Sequence, residues 1–115
     1  MKGYPKAIRK KFQELANLVW QRELDEQIAL LAKRFDEWRE KKIDCFQLND
    51  FIHKFHNGPS QEIWKKHNYF DADTIVAMAV ASGILKKEEI PQDIFQYIDE
   101  SIESYKKSYP KCITQ

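Results

Sequence analysis

DADTIVAMAVASGIL, residues 71–85, is the one segment of this chain that is apolar on every side. Ile75 through Ala81 leave no polar face between its ends. A helix hydrophobic all round belongs inside a bundle or inside a membrane. A bilayer span takes about 20 apolar residues and this run is roughly half that, so the bundle is the reading. Both ends are legible. Asp71 is placed as the helix N-cap, and Phe70 and Ile75 are spaced as a hydrophobic staple. Gly83 takes the left-handed position at the C-terminus, where Ile84 can fold back on Met78 or Ala79. The alanines let neighbouring helices come close, and large side chains from those helices fill the space.

Composition agrees with a helical core. A length of 115 residues is one domain's worth, residues 1–115. Three glycines, four prolines and no alternating β-branched runs point to an all-α protein. Nineteen basic and eighteen acidic residues leave +1, too little to draw nucleic acid or membrane by charge alone. The N-terminus has no apolar h-region, and Cys45 and Cys112 read as two reduced thiols, which together predict a cytoplasmic protein. The expected architecture is a compact bundle of about five helices with a long N-terminal helix and a buried central one.

Residues 5–41 are helical in pattern, with no internal glycine or proline after Pro5. Their apolar positions form two stripes. Ile8, Phe12, Leu15 and Val19 make the first; Trp20, Leu24, Ile28, Leu31, Phe35 and Trp38 make the second, about 150° further round. Either the helix breaks near Val19–Trp20, or its halves pack on different things. The first stripe is open to two readings: a later helix of the same chain crosses it, or it meets a second copy or another protein.

Asp44 and Gln47 read as a capping box opening a second helix that runs to about His56, with Leu48, Phe51, Ile52 and Phe55 inward. Asn57-Gly58-Pro59-Ser60 reads as the chain's clearest turn, and Pro59 to His67 as a short third helix. After the central helix, Ile84–Ile90 is a loop or single turn. Pro91 opens a last helix with Ile94, Ile98, Ile102, Tyr105 and Tyr109 inward and Pro110 closing it.

Chemistry, if present, is expected between Phe55 and Asp73, where His56, Glu62 and His67 are the candidate catalytic or metal-binding side chains. Each has a structural reading beside the functional one, His67 as a cation at a helix C-terminus. No HExxH, CxxC, glycine-rich phosphate loop or nucleophile elbow occurs, so no metal and no cofactor are predicted. Ala79 and Gly83 have the spacing of a helix-turn-helix turn. The segment after them, Lys86–Pro91, carries two glutamates and a proline where a recognition helix would lie. Lys2, Lys6, Arg9, Lys10 and Lys11 form a basic N-terminal run that could neutralise phosphates, and that equally suits a solvated face.

The block from Gly58 to Asn68, GPSQEIWKKHN, with IVAMAVASGIL at 75–85 behind it, resembles small uncharacterised bacterial all-α proteins of similar length. The resemblance spans most of the chain and implies a bacterial cytosolic protein, with no activity attached. The leading functional expectation is an interaction or accessory module, with a second copy or another protein as its partner, acting through Ile8, Phe12, Leu15 and Val19. Nucleic-acid binding through the basic run comes second, and a small enzyme or metal protein using residues 55–73 third.

Overall fold

A computed structural model describes residues 3–108, and among them every regular element is helical. The elements are α1 (Lys6–Arg39), α2 (Cys45–Phe55), a π-helical segment (His56–Ser60), α3 (Gln61–Tyr69), α4 (Ala72–Ser82), a 3-10 turn (Lys87–Glu89), α5 (Gln92–Phe95) and α6 (Asp99–Ser108). α1 is unbroken over 34 residues. At 1.5 Å per residue it is about 51 Å long, nearly the full 53 Å of the molecule.

The two halves of α1 do pack on different things. Phe12, Ala16 and Val19 of the first half are buried with Ile75, Val76, Ala77, Ala79 and Val80 of α4, and α6 adds Ile102 from the other side. Leu85, Ile90, Ile94 and Ile98 complete this body. The second half of α1 runs beside α2, the π segment and α3. Between residues 20 and 71 the only buried residue is Leu48. The chain is thus a packed body with a two-helix arm, measuring 53 × 31 × 21 Å. Its radius of gyration is 17.3 Å, against about 13 Å for a compact chain of this length. The compact bundle expected from the sequence is corrected to an elongated shape.

The first stripe of α1 needs the same correction. Phe12 is fully buried and Val19 is 1% exposed, while Ile8 and Leu15 are partly buried against the same cluster. Phe12 and Val19 are occupied by their own chain, and Ile8 and Leu15 are partly covered by it, in place of the open partner face expected of this stripe.

The Asn57–Ser60 turn is also corrected. The backbone stays helical from Cys45 to Tyr69, and residues 56–60 widen into a π turn with Pro59 inside it. Proline has no N–H to give and its ring strikes the carbonyl four residues back, here that of Phe55. One extra residue in the turn relieves that clash without reversing the chain. At the far end, the last helix is not continuous from Pro91. α5 is a single turn, and Tyr97 and Ile98 donate to Ile94 and Phe95 in tighter i→i−3 bonds before α6 begins. That tightening leaves Ile94, Ile98 and Ile102 buried. Tyr109 and Pro110 lie outside the described residues.

Several ends form as their residues dictate. Gln47 N–H donates to Asp44 Oδ1 at 2.8 Å, and Asp44 N–H to Gln47 Oε1 at 2.9 Å, closing the capping box. α4 ends at Gly83 with φ +90°; Ile84 N–H reaches Ala79 O and Gly83 N–H reaches Val80 O, a Schellman closure. α1 ends in the same way on Lys41, a non-glycine held at φ +63°. At the start of α4 the Thr74 N–H donates to the Asp73 carboxylate at 2.8 Å. Tyr4 donates to the other oxygen of Asp73 at 3.0 Å. Burial, followed by that carboxylate, raises the Tyr4 phenol above its ordinary range.

The two glycines are expected to respond oppositely to alanine. Gly58 lies in helical backbone with open space around an added Cβ, so Gly58→Ala is expected to stabilise by about 0.5–1 kcal/mol. Gly83→Ala places a side chain at φ +90° and is expected to destabilise by about 1 kcal/mol or more. Thermal melts of both variants check this; stabilisation lost at Gly58 would mean that it serves as a turn.

Candidate functional site

Where arm meets body, one polar cluster joins α1 to α3. Glu23 Oε1 accepts from His67 Nε2 at 2.7 Å, and Glu23 Oε2 accepts from Lys66 Nζ. A carboxylate can only accept, so the proton of His67 sits on Nε2. The Trp20 ring stacks on the His67 imidazole at 4.9 Å, nearly parallel at 10°. His67's side chain is 1% exposed and Glu23's 14%. Beside them a cleft of about 170 Å³ is lined by Val19, Lys66, Met78, Ser82 and Ile84. A second, more open cleft of about 370 Å³ is lined by Arg22, Glu23, Glu26, Ser82, Gly83 and Ile84. The cluster clasps α1 to α3, with the imidazole covered and bonded to Glu23.

The sequence candidates are separated accordingly. His67 is turned into the clasp, whereas His56 and Glu62 are exposed. Among the described residues no group of three His, Cys, Asp or Glu is placed to hold a metal ion. Of the basic run, Lys6, Arg9 and Lys10 are exposed, Lys11 is ion-paired with Asp93 of α5, and Lys2 lies outside the described residues. The segment after Gly83 forms a single 3-10 turn in place of a recognition helix, and Arg22 ties it to α1 through Ile84 O at 2.9 Å and the Glu89 carboxylate. Among the described residues no helix is long and apolar enough to cross a membrane.

Most of the large exposed apolar side chains lie on the arm; Tyr97 of the body, and Tyr69 and Phe70 before α4, are exposed as well. Ile28, Leu30 and Trp38 on α1, Phe46 on α2 and Trp64 on α3 are all large, apolar and exposed. Ile28 and Trp38 belong to the second apolar stripe of α1, and spacing alone does not tell which members of a stripe stay uncovered. Glu23 carries no local motif; the signal available in the sequence is its position between the two stripes of α1. Comparison of the chain with family models, curated proteins and solved structures finds no match.

Glu23→Ala strips two partners from a partly buried carboxylate and leaves His67 covered without an acceptor. A loss of about 2–3 kcal/mol is expected in chemical denaturation. Asp50→Ala, which breaks the exposed pair with Lys54, is expected to change stability by about 0.5 kcal/mol or less. Equal effects would show that the clasp is no stronger than a surface ion pair.

Proposed function

We propose that this chain is a protein-interaction module and that its working surface is the two-helix arm, α1 from about Leu24 onward with α2 and α3. One observation carries the reading: an arm holding a single buried residue exposes Ile28, Leu30, Trp38, Phe46 and Trp64. Scattered exposed apolar residues are ordinary, but several large ones on one projecting element mark an interaction site. The body then acts as the anchor, with α4 at its centre and α1 as the beam that carries the arm. An interaction role also suits a cluster whose histidine is covered and already bonded to Glu23.

The test uses the tagged chain as bait in its own cells, beside an Ile28→Glu/Trp64→Glu double variant of equal helix content. The wild type is expected to retain a protein, either untagged copies of itself or another chain, and the variant to lose it. Identical recovery on both baits would overturn the reading.

A further inference from the structure

The two flanks of the arm differ. On one, Leu30, Leu31 and Arg34 meet Phe51, Phe55 and Pro59 around a groove of about 210 Å³, with the Arg34 guanidinium 4.4 Å over the Phe51 ring. Gln27 and Arg34 are half-buried there, so they mark the direction of α2 from α1. Leu31 shares that groove, but the apolar positions of α1 taken together are centred to one side of it. Leu24, Ile28, Leu31, Phe35 and Trp38 follow at spacings of 4, 3, 4 and 3, the seam spacing of a helix packed coiled-coil fashion. At about 100° per residue, that seam is rotated by roughly 60° from Gln27 and Arg34 toward the opposite flank. Ile28 is 46% exposed there, while its polar neighbour Gln27 is better covered.

In a four-helix bundle each seam points at the common axis, about 45° from the line to either neighbouring helix. The rotation on α1 therefore leaves room for a second neighbour on the open flank. The other helices agree. Counted from the inward Leu48 and Phe55 of α2, and from Ile63 and His67 of α3, the charged Asp50, Lys54, Glu62, Lys65 and Lys66 fall on the groove flank or the outer back. Ile52 and Trp64, the latter 60% exposed, fall on the open flank. Depletion of charge with an aromatic present is the composition of an interface core.

We propose that a second copy of this chain covers the open flank, the two arms closing into a four-helix bundle about a two-fold axis. This rests on the reading of the arm as an interaction surface and names its partner. A two-helix arm is half of such a bundle, and an identical arm brings the same seam spacing to complete it. A two-fold axis sets a patch against itself, which a charged patch resists and this uncharged one does not. The area lies at the small end for a stable interface. From Trp20 to Trp38 the arm is about 28 Å long, and two helices are about 20 Å across. That flat footprint of roughly 550 Å², before the relief of its side chains is added, approaches the about 800 Å² per partner of a stable interface.

Sedimentation equilibrium of the full chain tests the proposal, with Ile28→Glu and, on the outer back, Phe46→Glu. At about 10 µM, a concentration at which an interface of this size is populated, the wild type and Phe46→Glu are expected at twice 13.8 kDa. Ile28→Glu is expected at 13.8 kDa with unchanged circular dichroism. A monomeric wild type at tenfold higher concentration would overturn the second-copy proposal. A dimer indifferent to Ile28→Glu would overturn the choice of flank. The broader arm reading survives a monomeric result if Ile28→Glu still removes a co-purifying protein, and falls with it if nothing is removed.

Discussion

A continuous helix cannot swivel, and everything else in this molecule is arranged around that constraint. Each residue of α1 turns the next by about 100°, so the angle between its first and second apolar stripes is set by sequence spacing alone. Phe12, Ala16 and Val19 face α4. Once they are seated, the directions of Leu24, Ile28 and Phe35 are fixed for the rest of the helix. Burial at one end of α1 thereby aims an apolar seam at the other.

The two ends differ in what holds them. The body buries Phe12, Val19, Val76, Leu85, Ile94 and Ile102 almost completely, and each such side chain contributes about 1.5–3 kcal/mol. The arm buries Leu48 alone. It is held otherwise by the capping box at Asp44, by Arg34 over Phe51, and by the Glu23 clasp to Lys66 and His67. Of these the clasp matters most, because it joins the base of the arm to α1 with a nearly buried imidazole stacked on Trp20. Local opening follows local burial, so the arm is the less stable part of the isolated chain and gains most from being covered.

Much of the all-helical character was readable in the sequence because it rests on local signals: sparse glycine and proline, the Asp44–Gln47 box, and Gly83 at the end of α4. The elongated shape was not readable, since it depends on which helix meets which stripe of α1, and spacing gives only the angle between stripes. Pro59 misled for a definite reason. Asn-Gly-Pro-Ser carries turn chemistry, but a proline can also be absorbed by one widened turn, and only the packing of α3 through His67 selects between them. The candidate site was legible in part. His67 stood out as a residue, but its partner Glu23 lies 44 positions away and shares no local motif with it. Spacing did not show which stripe of α1 is covered: Phe12 and Val19 pack against α4, and Ile28 and Trp64 are what α1 and α3 leave outside.

The most direct measurement of this account is amide hydrogen exchange on the full chain at low and high protein concentration. Amides of residues 8–19 and 75–80, in the body, are expected to be slow and unaffected by concentration. Amides of residues 24–38 and 45–67 are expected to exchange faster when dilute and to slow as the arm is covered. Exchange in the arm that is as slow as in the body and independent of concentration would contradict it. The arm would then be complete without a partner.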